Sequence, residues 1–389
     1  MRFGADGRYS KKRDGEFRQL FYSGYFIRPP RGRAGKQMQF VFDGHNDVLL
    51  RLWTHSKDGS DPIAEFADGT TLGHIDARRA KAGGLSGGLC AIYIPSGDLV
   101  FADPDADGRY VTPMAAPLEP LPSLAIATEM AAIALRLDQA GAWRLCRTVK
   151  DIRGAMAEDV FAAVLHMEGC EAIGADLSAL EVFYAAGLRS LGPVWSRHNV
   201  FGHGVPFAFP MSPDTGPGLT DAGFALVREC NRLGILIDLA HITEKGFWDV
   251  AKTTDQPLVA SHSNAHALTP VARNLTDRQL DAIRESGGLV GINYATAMLR
   301  PDGRSDSDTP MADMIRHLDY LVNRIGIDCV ALGSDFDGAT IPDEIGDASG
   351  NQKLIAALRE AGYGEADLTK LARENWLRIL AQAWREEYA

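Results

Sequence analysis

Histidine and aspartate stand together directly after the first short run of β-forming residues in this chain. His45 and Asp47 are two positions apart, so on an extended backbone both side chains project to the same side. Imidazole and carboxylate groups are ligands that zinc and similar divalent ions accept. The pair therefore predicts that His45 and Asp47 bind one metal ion together.

Four further residues repeat this placement along the chain. Glu168, His241 and His262 end or directly follow later β-rich runs, and Asp335 follows the last one. Each has an ordinary structural interpretation by itself, as a loop acid, a buried hydrogen-bonded histidine or a turn-capping aspartate. The joint pattern favours a metal site, because independent strand ends carry ligand-type residues.

The second ligand set suggests a reaction as well as a metal. Glu168 has two oxygens and could bridge to a second ion held by His241 and His262. Two metals sharing a water would lower the pKa of that water towards neutrality and polarise a carbonyl oxygen, as metal-assisted hydrolysis requires. Asp335 is the candidate carboxylate that takes the proton of the water and passes it to a leaving amine.

The elements that must position these residues alternate between strands and helices. Such alternation is typical of a parallel sheet with crossover helices. Eight strands are predicted, at Gln39–Phe42, Gly88–Ile94, Phe161–His166, Ser190–Val194, Ile235–Leu239, Pro257–Ala260, Leu289–Asn293 and Cys329–Gly333. Helices are predicted at Leu124–Gln139, Gly223–Leu233, Thr276–Glu285, Met311–Ile325 and Asp367–Glu387, with Thr220 and Thr276 as N-caps.

Eight strand-then-helix units predict an α/β fold, a (β/α)8 TIM barrel with long loop insertions at Thr54–Ile75, Pro95–Pro122 and Val200–Gly218. In such a barrel the carboxyl ends of the strands carry the chemistry, where the six candidate residues stand. The alternative is an open doubly wound sheet. No Gly-x-Gly-x-x-Gly follows a strand at the required place, which argues against a dinucleotide site.

The amino-acid composition limits the classes of protein that remain possible. The 389 residues are 46% hydrophobic and 23% charged with a net charge of -11, which excludes a disordered, collagenous or disulfide-scaffold protein. Residues 1–38 carry a net charge of +7 and form a basic N-terminal extension. Such a segment could be a start-site extension, a transit segment or a nucleic-acid arm, and we favour the start-site extension. Residues 39–389 carry -18 and form the predicted catalytic domain, and an acidic body argues against a nucleic-acid partner.

The sequence also suggests where the protein resides. No stretch is predicted to reach the apolar length of a membrane span, and the basic extension lacks the apolar region of a secretory signal. Five widely spaced cysteines without a Cys-x-x-Cys pair predict reduced, mostly buried thiols. We therefore expect a cytoplasmic protein with no membrane partner.

Taken together, the motifs resemble those of the membrane (renal) dipeptidase family, peptidase family M19, within the amidohydrolase superfamily. They occur in family order from about residue 40 to 389. The motifs are Asp43-Gly-His-Asn-Asp47, His166-Met-Glu-Gly169, Asp238-Leu-Ala-His241, Ser261-His-Ser263, Arg273-Asn274 and Gly333-Ser-Asp-Phe-Asp-Gly338. Most members of the superfamily carry His-x-His after strand 1. This chain has aspartate in the second position of that motif and glutamate after strand 3, and both differences point to the M19 branch.

The resemblance implies a barrel with two Zn²⁺ ions per chain that hydrolyses dipeptides, some with a D-residue at the C-terminal position. It implies one zinc on His45 and Asp47, a second on His241 and His262, and Glu168 as the bridge. It also implies that Asp335 is the proton shuttle, that Arg273 binds the C-terminal carboxylate of the substrate, and that the protein is a homodimer. A bidentate guanidinium–carboxylate pair is a sound physical reason for an arginine at that place.

One position departs from the family pattern. The family commonly has a Thr-His pair after strand 4, whose histidine contacts substrate. In this chain the corresponding segment, residues 191–198, places Trp195 in that position. A loop shift would instead bring His198 or Arg197 to the substrate. The replacement suggests a branch of altered specificity.

Two other functions remain open on sequence grounds. The first is another superfamily hydrolase acting on an N-acyl amino acid, lactone or ester, which would keep the metals but would not need Arg273. The second is a barrel that retains the fold for binding after losing catalysis. The complete set of six ligand-type and acid residues argues against the second.

Overall fold

The computed structural model describes residues 38–97 and 99–388, so the predicted basic extension lies outside the described residues apart from its last position. Eleven strands are present in this part of the chain. They are β1 (Val41–Asn46), β2 (Leu85–Tyr93), β3 (Tyr110–Val111), β4 (Arg144–Leu145), β5 (Ala162–Glu168), β6 (Leu188–Gly192), β7 (Ala208–Phe209), β8 (Leu236–Ile237), β9 (Val259–Ala260), β10 (Leu289–Ile292) and β11 (Val330–Leu332).

Two parallel sheets contain the eight strands that the sequence predicts. The first has the order β1-β2-β5-β6-β8, with β4 paired to β5, and the second has the order β11-β10-β9. Isolated parallel bridges join Asp238 to Val259 and Asn46 to Phe336, so both ends of the first sheet contact the second. The predicted α/β architecture with parallel strands is confirmed.

Helices alternate with these strands. They are α1 (Val48–Lys57), α2 (Pro62–Asp68), α3 (Ala77–Gly83), α4 (Pro120–Gln139), α5 (Val149–Ala157), α6 (Ser178–Ala186), α7 (Asp221–Leu233), α8 (Glu244–Thr253), α9 (Asp277–Glu285), α10 (Thr296–Leu299), α11 (Met311–Ile325), α12 (Asn351–Glu360), α13 (Glu365–Thr369) and α14 (Asn375–Trp384). The predicted N-cap Thr220 accepts a hydrogen bond from the backbone N–H of Gly223 at 3.1 Å. Thr276 forms a capping box with Gln279.

One sequence prediction about these elements is wrong. The segment Thr54–Ile75 is not one long loop, because α1 continues to Lys57 and α2 lies within it. Asp61 caps α2 by accepting from the N–H of Ile63, and proline at the first helical position suits the helix start. The predicted helix Asp367–Glu387 is confirmed as one helical run from Glu365 to Trp384, in which Lys370–Glu374 form a π-helical turn.

The hydrophobic core has two main parts. One fills the space between the sheets and the outer helices. The other gathers inward-facing residues of seven strands, together with residues of α14: Phe42, Leu89, Val164, Leu236, Val259, Leu289, Ala331, Trp376 and Leu380. Apolar burial on both faces is expected of parallel strands covered by helices. Because the interior is filled by apolar side chains, the polar side chains of the candidate site lie at the ends of the strands.

Helix α4 bears on the membrane expectation. Its 20 residues are long and apolar enough to cross a membrane by length and composition alone. The prediction that no stretch reaches this apolar length is therefore wrong for α4. Buried core helices pass the same test, and the described α4 packs against α1, α2 and β2.

Candidate metal centre

The first part of the site is at the carboxyl end of β1. All six residues of the strand are buried, because parallel strands are covered on both faces. His45 is fully buried and Asp47 is nearly so, and the Nε2 atom of His45 lies 3.4 Å from Oδ2 of Asp47. The structure thus brings together the two side chains that the spacing predicts.

Glu168, the last residue of β5, occupies the middle of the site. Its Oε1 atom lies 3.5 Å from Nε2 of His45, 2.9 Å from Nε2 of His241 and 3.4 Å from Nε2 of His262. One carboxylate oxygen therefore faces the same ring nitrogen of three histidines from three different strand ends.

Serine hydroxyls orient the two histidines after β8 and β9. The Oγ of Ser196 lies 2.9 Å from Nδ1 of His241, and the Oγ of Ser261 lies 2.7 Å from Nδ1 of His262. Ser261 donates its hydroxyl proton to Asp238 at 2.6 Å, so it accepts from His262, whose proton is on Nδ1. The lone pair of Nε2 of His262 is then available to a metal, and hydrogen bonds at the other ring nitrogen commonly fix ligating histidines in this way.

Asp335 enters the same site from the turn after β11. Its backbone N–H donates to the carbonyl of His45 at 3.0 Å, and its Oδ2 accepts from Nδ2 of Asn293 at 2.9 Å. A side chain at Gly338 would place its Cβ 2.2 Å from Oδ2 of Asp47 and 2.5 Å from Oδ1 of Asp335. Glycine at this position is therefore what allows both carboxylates to reach the site.

The charges in the site favour a bound cation. Burial by itself would lower the pKa of His45, but the negative charges of Glu168 and Asp47 outweigh it and raise that pKa to about 10. Burial raises the pKa of Glu168 well above its usual range. Burial, with the charge of nearby cations, lowers the pKa values of His241 and His262 well below the usual range, which keeps both neutral as metal ligands must be.

The donor set fits a metal. Neither ring nitrogen of the buried His45 has a hydrogen-bond partner among residues 38–97 and 99–388, which is costly for a buried polar group. Three overlapping groups each place their potential ligand atoms within 4.8 Å of one another: His45, Asp47 and Glu168; Glu168, His241 and His262; His45, His262 and Asp335. Imidazole nitrogens and carboxylate oxygens in this arrangement suit a divalent ion.

Arg273 lies beside these groups and is buried. It donates one guanidinium N–H to the carbonyl of His262 at 3.3 Å, while its Nε and Nη1 have no partner within the described part of the chain. Burial lowers the pKa of Arg273 to about 10, against the opposing charges of Asp335 and Glu168, so it remains charged at neutral pH. The buried guanidinium therefore has donors to spare for an anionic group.

The two residues predicted to contact substrate after β6, Trp195 and His198, have different surroundings in the structure. Trp195 lies at the site, with its ring centroid 5.7 Å from that of His241. His198 is half-buried and packs against His203, with ring centroids 4.5 Å apart. Trp195 borders the predicted ligand set.

Arg197, the other residue suggested for a substrate contact, has a different environment. Its guanidinium is fully buried, and Nε donates to Oε1 of Glu171 at 3.0 Å. It also donates to Oγ of Ser96 at 2.5 Å and to the carbonyl of Ile94 at 3.0 Å. Arg197 therefore ties together the segments that follow β2, β5 and β6.

Sequence reasoning missed the residues that orient the site. Ser196, Ser261 and Asn293 hold His241, His262 and Asp335 respectively, but serine and asparagine are too common in loops to be singled out. For Ser261 a signal was present, because it directly precedes a predicted ligand.

The comparisons with known proteins agree with this geometry. The family model for membrane dipeptidase, peptidase family M19, matches residues 34–388. An uncharacterized protein in the pqqA 5′ region of Klebsiella pneumoniae is 53% identical over 247 residues, which is 64% of this chain and 91% of that protein.

Two crystal structures are similar over nearly the whole chain. One, described as dipeptidase AC, a metallo peptidase of family M19, is 49% identical with a TM-score of 0.84, over 90% of this chain and 99% of that one. The other is a metallo peptidase from Rhodobacter sphaeroides liganded with a phosphinate mimic of the dipeptide L-Ala-D-Ala, at 49% identity and a TM-score of 0.85, over 90% of this chain and 100% of that one. This chain therefore belongs to the membrane dipeptidase family, peptidase family M19, and is a metal-dependent hydrolase.

Proposed function

We propose that the protein is a dipeptidase with two zinc ions per chain. The observation that carries this proposal is the position of Glu168, whose Oε1 lies within 3.5 Å of Nε2 of three histidines. A bridging ligand must belong to both donor groups, and the carboxylate of Glu168 does. His45 and Asp47 would hold one ion, and His241 and His262 the other.

Zinc suits these ligands because it binds imidazole nitrogen and carboxylate oxygen with no strict geometric demand from its d-electrons. When bound, the ions would lower the pKa of a water and polarise the peptide carbonyl. The chain contributes the oriented ligands and the exclusion of bulk water, since all five proposed ligands are buried.

Asp335 is the proposed proton carrier. It lies beside His45 and His262, and Asn293 fixes one of its oxygens. Burial raises the pKa of Asp335 above its usual range, so this carboxylate is a stronger base than one in water. It would take a proton from the attacking water and deliver it to the leaving amine.

The proposed substrate carries a free C-terminal carboxylate. The guanidinium group of Arg273, whose Nε and Nη1 have no partner among the described residues, would donate charge-assisted hydrogen bonds to it. The Rhodobacter sphaeroides relative is liganded with a mimic of L-Ala-D-Ala, and on this basis we propose that the present enzyme also accepts a D-residue at the C-terminal position.

We further propose that the eight parallel strands close into one (β/α)8 barrel. The bridges Asp238 to Val259 and Asn46 to Phe336 support closure, because they connect the two sheets at both edges. The interior cluster drawn from seven of these strands supports it too. In a closed barrel all proposed ligands would share one mouth.

Metal analysis combined with a dipeptide library tests the central proposal. We expect two zinc ions per chain by elemental analysis, and chelator-sensitive cleavage of dipeptides that carry L- or D-residues at the second position. One metal or none per chain, together with no cleavage after incubation with zinc, would contradict it.

Replacing Arg273 with methionine is expected to lower kcat/KM for free dipeptides by about a hundredfold or more, because truncating one partner of a buried charge pair typically costs about 2–5 kcal/mol. Dipeptide amides, which lack the carboxylate, should be cleaved at similar rates by both enzymes. An unchanged rate on free dipeptides would instead favour a hydrolase of N-acyl amino acids, lactones or esters.

Removing the metal is expected to lower the melting temperature by roughly 5 °C, because a ligand that binds only the native state stabilises it, and the buried carboxylates lose their counter-charge. Differential scanning fluorimetry with and without chelator measures the shift, and added zinc should reverse it. Glu168→Gln should show a smaller shift than the unaltered enzyme. Identical melting curves for the metal-loaded and the chelated protein would argue against a structural metal centre.

A further inference from the structure

The turn after β11 carries two aspartates in a backbone conformation that favours glycine. Asp335 has a φ of 60° and Asp337 a φ of 67°, both in the left-handed region. Residues in this region persist only where the surrounding structure holds them, and they are often found at functional sites. The proposed proton carrier therefore stands on a segment that needs contacts from outside to keep its shape.

The backbone of β1 and of the residue after it holds one side of this turn. The N–H of Asp335 donates to the carbonyl of His45 at 3.0 Å, and the N–H of Asp47 donates to the carbonyl of Phe336 at 2.8 Å. Phe336, which stands between the two aspartates in sequence, is fully buried. The carboxylates on either side of it take different partners. Asp335 lies with His45 in one of the donor groups, whereas Asp337 contacts an arginine outside them.

Two segments from much earlier in the chain hold Asp337. Its side chain is fully buried, and Oδ2 accepts a hydrogen bond from Nε of Arg51 in α1 at 3.2 Å. Oδ1 accepts from the backbone N–H of His74, and the backbone N–H of Asp337 donates in return to Nδ1 of His74 at 2.8 Å. Burial lowers the pKa of His74, so its ring is neutral at neutral pH and Nδ1 can accept. We call Arg51, His74 and Asp337 the clamp.

The clamp is itself fixed by neighbouring segments. The guanidinium of Arg51 is buried, and it also donates to Oε1 of Glu65 in α2 and to the carbonyl of Ile75. A Cβ at Gly73 would lie 2.2 Å from Cδ of Arg51 and 2.5 Å from Oδ1 of Asp337, so the chain passes directly against both groups. A planar guanidinium tied to three acceptors in different segments has little freedom to move. The clamp can therefore fix the position of the turn.

We propose that the clamp positions Asp335 for proton transfer, with Arg51 and Asp337 as positioning residues. This inference rests on the proposed role of Asp335 as proton carrier. A general acid or base must lie within hydrogen-bond reach of the proton that it moves, and a displacement of about 1 Å can cost about a hundredfold in rate. An ion pair that fixes the backbone two residues from Asp335 acts on exactly this distance, without itself belonging to the three donor groups of the described residues.

Asp337→Asn in the zinc-loaded enzyme is the first test. The amide keeps the shape of the side chain and can still accept from the N–H of His74, but it loses the charge that faces Arg51. We expect kcat for dipeptides to fall by about tenfold or more. KM should stay within about threefold and the zinc content should be unchanged, because the proposed metal ligands and Arg273 keep their own contacts.

The double variant Asp335→Asn/Asp337→Asn shows whether Asp337 acts through Asp335. If it does, adding Asp337→Asn to Asp335→Asn should lower kcat by less than about twofold further, because there is no longer a proton carrier to position. A general loosening of the site would instead lower kcat by the same factor in both backgrounds. Melting temperatures of all four proteins separate this effect from a loss of folded enzyme.

Two further variants complete the experiment. Asp281→Asn is the matched control, because it makes the same chemical change at an ion pair with Arg324 on the outer helix α9, at 2.7 Å. Its kcat, KM and zinc content should equal those of the unaltered enzyme. Arg51→Lys replaces Asp337→Asn if that variant fails to fold. A lysine cannot hold all three acceptors of Arg51 in one plane, so kcat should fall and again depend on Asp335.

Folded clamp variants with the kcat of the unaltered enzyme would overturn the inference. So would an equal loss of kcat with and without Asp335, or a loss that accompanies a loss of zinc. Failure of the proposed function is separately visible, because Asp335→Asn by itself would then keep its activity, or no dipeptide would be cleaved in a zinc-dependent reaction. Either result would remove this inference as well.

Discussion

Replacing Glu168 with glutamine is expected to lower kcat/KM for dipeptides by about a thousandfold or more. The amide keeps the shape of the side chain but removes the negative charge that faces Nε2 of His45, His241 and His262. In the proposed bridging position, an uncharged amide would no longer balance the charge of two divalent ions. A loss of about 4 kcal/mol of transition-state stabilisation corresponds to this factor.

Steady-state kinetics and elemental analysis of the same preparation measure this effect. We expect the variant to bind less zinc, so the loss of activity and the loss of metal should appear together. Glu129→Gln is the matched control, because it makes the same chemical change on the exposed face of α4 and should leave both quantities unchanged. Full activity in Glu168→Gln would contradict the central position of this carboxylate.

Replacing Asp335 with asparagine is expected to lower kcat by about a thousandfold, within the range of about 10²–10⁴ for losing a general acid or base. The amide can still contact Asn293 but cannot carry a proton between the attacking water and the leaving amine. KM should change much less than kcat, because the proposed carboxylate anchor, Arg273, is untouched.

The control for this change is Asp343→Asn, on the exposed part of the loop after β11. It should keep wild-type kcat and metal content. Asp335→Asn should retain most of its zinc, since the five proposed ligands remain in place. If the variant lost all of its metal, the role of Asp335 would be ligation rather than proton transfer.

Ligand placement was largely predictable from sequence. His45, Asp47, Glu168, His241 and His262 were recognisable because each ends or follows a β-rich run, and parallel strand ends meet at one edge of a sheet. The contacts within 3.5 Å between Glu168 and three of these residues agree with that expectation. The roles of the side chains stay predictions until the variants are measured.

Local pattern was less reliable where helices are short. The segment Thr54–Ile75 was predicted as a loop insertion, and it contains Asp, Gly, Ser and Pro residues, which are common in turns. In the structure Asp61 and Pro62 begin the helix α2 instead. The same residue types favour both a turn and a helix start, and the packing of Phe66 into the core decides between them.

Local periodicity and spacing in the sequence were enough to predict the order of the eight parallel strands and the types of side chain at their ends. Only the tertiary structure decided which side chains meet. Arg197 was a substrate candidate in sequence, but its buried contacts with Glu171, Ser96 and Ile94 make it the support of Trp195 instead. Such contacts join segments up to about 100 residues apart, and no local pattern records the partner of a buried charge until the chain has folded around it.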